Sequence, residues 1–96
     1  MGNNTYTFYG FYIPERMMSS IKMYVEKGIL PGDFLQCVIS NDLFGAIGRA
    51  DNENIRNLPA YTAYFYNKTP SICWGSREKM KEWSACGGLK GKQNEQ

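Results

Sequence analysis

Residues 30–50 read LPGDFLQCVISNDLFGAIGRA, and this stretch decides the fold. Phe34, Leu35, Val38, Ile39, Leu43, Phe44 and Ile47 recur at helical spacing and predict one broad apolar face over residues 30–47. Pro31 suits the first turn, and Asp33 complements the positive end of the helix. Gly45 and Gly48 each weaken such a helix by roughly 1 kcal/mol relative to Ala. Glycines there imply close approach of another backbone or of a ligand.

Working outward, Pro14 opens a preceding helix over residues 14–27. Met17, Met18, Ile21, Tyr24 and Val25 give it an apolar face, and Gly28 ends it. Ile29 and Leu30 are expected to pack in the connection. Downstream, Asp51 is a good N-cap for a helix carrying Ile55 and Leu58, which Pro59 kinks or restarts. Ala60, Tyr61, Ala63, Tyr64 and Phe65 carry it to about Lys68, and Thr69-Pro70 ends it. Residues 71–75 form a loop holding Cys73 and Trp74. Ser76 caps a last helix anchored by Met80 and Trp83 and stopped at Gly87-Gly88. Before all of these, Tyr6, Phe8, Tyr9, Phe11 and Tyr12 crowd a short strand or extended arm. The expected fold is therefore mostly α: a small single-domain bundle of four to five short helices. Residues 1–12 form an extended aromatic N-terminal arm, residues 13–88 the helical domain and residues 89–96 a flexible polar tail.

Composition bounds the function. The chain has 96 residues, so one domain is the limit, and its margin of stability is thin. Eleven Lys and Arg against nine Asp and Glu leave a net charge of +2, so no binding to a nucleic acid polymer is expected. There is no His, which removes the commonest general base and metal ligand. Cys37, Cys73 and Cys86 are widely spaced, with no CxxC, so no metal site is expected and reduced thiols are the default. No apolar run approaches the ~18 residues of a membrane helix, and MGNNTYTFYG lacks the pattern of a signal peptide. A cytoplasmic protein is the expectation. Without a triad, a P-loop, a GxGxxG or a metal motif, the chain reads as a binding protein that is not an enzyme and carries no cofactor.

Several groups have the chemistry of a binding site. Asn41 and Asp42 border the apolar stripe, where they serve either as an internal helix cap or an ion pair with Arg16 or Arg49, or as a ligand-binding pair in which Asn41 reads a base edge and Asp42 accepts from an amino group. Arg49 opens the polar run RADNEN and is the best single candidate for a phosphate. That run, with Asn54, makes either simple capping or an anion or ribose site. Tyr12 and Arg16 lie one turn apart and together suit stacking on a base and holding its phosphate. The other reading of the N-terminal aromatics is core or subunit interface. Tyr61, Tyr64 and Phe65 read first as a core stripe. Trp74 either seals the edge of the core or faces a ligand beside the start of the Ser76 helix.

The segments YIPERMM (12–18), GILPGDFLQCVISNDL (28–43), RADNEN (49–54), LPAYTAYFYN (58–67) and CWGS (73–76) fall in one order across residues 12–88. In that order the chain resembles a family of small proteins encoded by tailed bacteriophages. Within that group it is similar to the anti-CBASS sponges, which bind a cyclic dinucleotide defence signal without cleaving it. The resemblance implies a homo-oligomer, with a tetramer favoured, whose pockets lie at subunit contacts. It further implies capture of a signal such as 3′,3′-cyclic GMP-AMP in the host cytoplasm during infection. Chemistry rather than a matched motif assigns Tyr12, Arg16, Asn41, Asp42, Arg49, Asn54 and Trp74 as ligand-binding. The alternative is a small phage accessory protein that docks on a host or phage protein through its aromatic surface.

Overall fold

The computed structural model describes residues 6–93. A hairpin of β1 (Thr7–Phe8) and β2 (Phe11–Tyr12) leads into α1 (Glu15–Lys27). There follow α2 (Asp33–Ile39), α3 (Leu43–Arg49), α4 (Asn52–Arg56) and α5 (Leu58–Lys68). A 3-10 turn (Ser71–Cys73) then precedes α6 (Arg77–Cys86) and α7 (Gly88–Gln93). The described residues are mostly α, as the apolar periodicity predicts, but they hold seven helices rather than four or five. No helix among them is long and apolar enough to cross a membrane.

The extra helices come from two breaks and one addition. The helix expected over residues 30–47 is interrupted at Ser40-Asn41-Asp42. Asn41 takes a left-handed conformation at φ 65, which Asn tolerates better than most residues. The N–H of Asp42 then bonds back to the Cys37 carbonyl at 2.8 Å. The Asp42 carboxylate turns forward and accepts from the Gly45 N–H at 2.9 Å, so it is the N-cap of α3. Of the two structural alternatives for Asp42, the cap is the one realised: it makes no ion pair with Arg16 or Arg49 among the described residues. Gly45 is explained by that cap. A Cβ there would stand 2.3 Å from the Asp42 carboxylate and 2.9 Å from the Cys37 thiol, so the close neighbours are two side chains rather than another backbone. At Asn57 the chain restarts as α5, with Pro59 in its first turn. Residues 88–93 form α7, where a polar tail was expected.

The N-terminal aromatics do find a strand partner, namely each other. Thr7 pairs with Tyr12 and Phe8 with Phe11, leaving Tyr9-Gly10 as a two-residue turn at φ 49 and 85. Positive φ at both central residues is the turn type that matches strand twist. Residues 1–5 of the expected arm lie outside the described residues, as do residues 94–96 of the expected tail.

The core is centred on Ile13, Ile21, Tyr24, Leu35, Tyr61 and Met80, all buried. Its polar groups are matched. Tyr24 donates its hydroxyl to the Cys73 carbonyl at 2.6 Å, and Trp83 donates its indole N–H to the Tyr24 carbonyl at 3.0 Å. These two bonds tie α1, the 3-10 turn and α6 together. Burial pushes the Tyr24 phenol and the Cys73 thiol above their ordinary pKa ranges. The end of α1 is closed by Gly28 in the left-handed region, whose N–H bonds to the Tyr24 carbonyl at 2.8 Å. Gly88, at φ +70, lies against it so closely that a Cβ on Gly88 would meet the Gly28 nitrogen at 2.6 Å. Ile29 and Leu30, expected to pack here, are exposed.

Candidate functional site

The seven expected binding residues fall into two groups. Tyr12, Arg16 and Asn54 gather around α4. Arg16 reaches the carboxylates of Asp51 and Glu53, each at 3.1 Å, and the Tyr12 hydroxyl donates to Glu53 at 2.6 Å. The backbone N–H of Tyr12 donates to the buried Asn57 side chain at 2.9 Å. The bonds from Tyr12 and then Arg16 hold the Glu53 carboxyl below the usual range. The Asn54 N–H, with Arg16 beside it, does the same for Asp51. The bond to Glu53 raises the pKa of both Tyr12 and Arg16. Asn54 is buried beneath, accepting from the Tyr61 hydroxyl at 2.5 Å. Tyr12 and Arg16 do act together, but on two carboxylates of the same chain. This cluster latches the hairpin and α1 onto α4, with its cation already matched. Glu53, its pivot, was not foreseen, because a contact spanning 37 residues leaves no mark in local spacing.

Asn41, Asp42, Arg49 and Trp74 form the second group, on the other side of the α2–α3 break. A cleft of about 150 Å³ lies between α3 and α5, lined by Asn41, Asp42, Leu43, Phe65, Tyr66 and Trp74 among others. Trp74 and Tyr66 pack as a tilted aromatic pair at 6.0 Å between ring centroids. The Trp74 indole N–H is buried and finds no acceptor among the described residues. It is the only such buried side-chain nitrogen or oxygen among them. Trp74 is held in place by the two residues that follow it. Its neighbour Gly75 donates to the Ile39 carbonyl at the end of α2 at 2.8 Å, and Ser76 caps α6 by accepting from the Lys79 N–H at 3.1 Å.

Beside the cleft lies a polar depression of about 140 Å³ lined by Asp33, Gln36, Cys37, Asp42, Arg49 and Arg77. Cys37 and Asp42 line both, so cleft and depression are neighbours across one wall. Arg49 and Arg77 are exposed and make no ion pair among the described residues. Arg49 reaches only its own helix, at the Gly45 carbonyl, 3.4 Å away. Arg77 is the residue that sequence reasoning missed. The signal was its place directly after the Ser76 cap, at the start of a helix that presents unpaired N–H groups. No group of three or more His, Cys, Asp or Glu among the described residues is arranged to hold a metal ion.

The second group thus offers an aromatic wall, an orphan indole donor, a side-chain amide and a carboxylate, and beyond them two unmatched guanidiniums. These are the parts that a planar heterocycle bearing a phosphate needs. Comparison of the chain with known protein families, with curated proteins and with solved structures finds no match.

Proposed function

We propose that this chain captures a nucleotide signal without cleaving it, with the base in the Trp74 cleft and the phosphate on Arg49 and Arg77. The observation that carries the reading is the shared wall. Asp42 and Cys37 join an aromatic cleft to a depression in which the guanidiniums of Arg49 and Arg77, free of ion pairs among the described residues, stand with the carboxylates of Asp33 and Asp42. Asn41 and Asp42 line the same cleft and have the groups to read a base edge, and the Trp74 N–H is a buried donor without an acceptor among the described residues. The reading rests on Asn41, Asp42, Arg49, Arg77 and Trp74. Tyr12, Arg16 and Asn54 are assigned to the latch instead.

Size bears on the form of the ligand. Pockets that enclose small molecules span roughly 300–1,000 Å³. The cleft and the depression, about 150 and 140 Å³, suit one base and one phosphate. A cyclic dinucleotide, the ligand class suggested by the resemblance to phage anti-CBASS sponges, carries two of each. Two subunits would therefore share one ligand, in a homo-oligomer acting in the host cytoplasm during infection.

The test is calorimetric titration of the purified chain with a panel of cyclic di- and trinucleotides, followed by chromatography of the released ligand. The expected result is saturable binding with intact ligand recovered, lost by roughly tenfold or more in Arg49→Ala and Arg77→Ala. Arg16→Ala should leave affinity unchanged. No heat with any nucleotide overturns the reading.

A second reading, docking on a host or phage protein, is favoured by Tyr9. This residue is 88% exposed at the hairpin tip, in a left-handed conformation that a tyrosine adopts only under strain. Loss of a captured partner in Tyr9→Asn, with nucleotide binding absent, would favour it.

A further inference from the structure

The cleft and the depression differ in charge. Asp42 is the one charged residue lining the cleft, and no Arg or Lys lines it. Arg49 and Arg77 line the depression instead. A carboxylate accepts hydrogen bonds, donates none and repels a phosphate. The cleft therefore suits the uncharged part of a nucleotide, and its chemistry bears on which base that is.

Only part of the Asp42 carboxylate is engaged. One oxygen accepts the Gly45 N–H at 2.9 Å and caps α3. The other has no partner among the described residues. It is not a buried orphan either, since the Trp74 indole nitrogen is the only such atom among them, so this oxygen is open to solvent. Gly45 leaves it that space, because a Cβ on Gly45 would stand upon it. The cap thus holds the carboxylate against α3 while leaving its second oxygen to a ligand. Each carboxylate oxygen has two lone pairs, so the capping oxygen can accept again.

We infer that Asp42 selects guanine, accepting from the ring N1–H and the 2-amino group while the base lies along the aromatic wall of Trp74 and Tyr66. The inference rests on the capture reading and deepens it by naming the base. Among the common bases, guanine alone sets two N–H donors side by side on its pairing edge. Adenine and cytosine place one amino group beside a ring nitrogen that is itself an acceptor, which a carboxylate repels. Uracil places one N–H between two carbonyls. A site built to pair with a donor rejects a base that lacks it, because the site's own polar group is then left unpaired. Asn41 lines the same cleft directly before Asp42, and its amide has the donor that guanine O6 needs. Two subunits sharing one cyclic dinucleotide would each present an Asp42, so two guanines satisfy both.

The test is calorimetric titration with cyclic di-GMP and cyclic di-AMP, which share a backbone and differ in base. The wild type should bind cyclic di-GMP tighter by roughly tenfold or more, with 3′,3′-cyclic GMP-AMP between them. Asp42→Asn keeps the cap, since Asn caps a helix as well as Asp does, so thermal melting should show an intact fold. It puts a donor beside an acceptor, as adenine requires, so the guanine preference should fall to roughly threefold or less. Asp33→Asn removes the same charge from the depression alone. It should move both affinities together and keep the preference. A wild type that binds cyclic di-AMP as tightly as cyclic di-GMP overturns the inference and leaves the capture reading standing. So does an Asp42→Asn chain that keeps the full guanine preference. Binding of neither ligand overturns the inference, and the capture reading falls with it only if the whole nucleotide panel gives no heat.

Discussion

The chain has two tryptophans, and they sit in opposite circumstances. Trp83 is buried between α6 and α1 and donates its indole N–H to the Tyr24 carbonyl at 3.0 Å. Trp74 lines the cleft beside α3, half-buried, with an indole N–H that has lost water and gained no acceptor among the described residues. The regions around them follow suit. Around Trp83, two glycine-bearing turns press backbone on backbone at Gly28 and Gly88. Around Trp74, apolar side chains of α3 and α5 face outward and two guanidiniums make no ion pair among the described residues. A buried donor without a partner costs about 1–3 kcal/mol. The Trp83 end is a closed, hydrogen-bonded interior, and the Trp74 end leaves a buried donor and outward-facing apolar side chains.

Substitution separates the two ends. The largest effect is expected for Trp83→Phe. It leaves a cavity and removes one of the two bonds that the Tyr24 carbonyl accepts, the other coming from the Gly28 N–H, for a loss of about 2–4 kcal/mol in urea unfolding. Gly88→Ala comes next, at about 2 kcal/mol or more. A Cβ there meets the α1 backbone, and φ +70 is strained for any L side chain. Gly48, in α3, gives the opposite sign. Nothing lies within 4 Å of the Cβ it would gain, so Gly48→Ala should stabilise by about 0.5–1 kcal/mol. Trp74→Phe should change stability by less than about 1 kcal/mol, because it removes a donor that has no bond to lose. A Trp74→Phe loss as large as that of Trp83→Phe would break the comparison.

The smallest effect concerns the latch and depends on pH. Asp51 and Glu53 carry folded-state pKa values held below their ordinary ones, so they bind fewer protons folded than unfolded. Their contribution is present above the unfolded carboxylate range and is lost as pH falls through the folded values. Melting temperature should therefore drop modestly between about pH 6 and about pH 3 in the wild type. In a chain carrying Glu53→Gln and Asp51→Asn the drop should be smaller. Exposed ion pairs contribute little, so this is a shift to be measured and no unfolding transition is expected.

Much of the fold was legible because caps and periodicity are local. Asp51, Ser76, Gly28 and Gly87 terminate helices as their chemistry predicts, and the buried faces of α1, α5 and α6 follow the apolar spacing. The break at Asn41 was not, because Phe34, Leu35, Val38, Ile39, Leu43, Phe44 and Ile47 keep helical spacing straight across it. The signal lay in Ser40-Asn41-Asp42, two turn formers followed by a cap, which outweighed the continuous apolar pattern. The hairpin was half legible. The alternation was visible, but tyrosine at the first turn position disguised a turn that usually carries Asn-Gly. α7 runs against the helix propensity of its two glycines, and packing on α1 decides it. Four of the seven expected binding residues meet at the cleft and depression. The other three belong to the latch, since only the folded chain shows that Arg16 is already matched by Asp51 and Glu53.

The most direct measurement is a proton–nitrogen correlation spectrum of the two indole N–H groups during titration with 3′,3′-cyclic GMP-AMP. The account predicts that the Trp74 signal shifts on binding and becomes slow to exchange with solvent, while the Trp83 signal, already bonded to Tyr24, stays in place. Two unmoved signals at saturating nucleotide, or a response confined to Trp83, would contradict it.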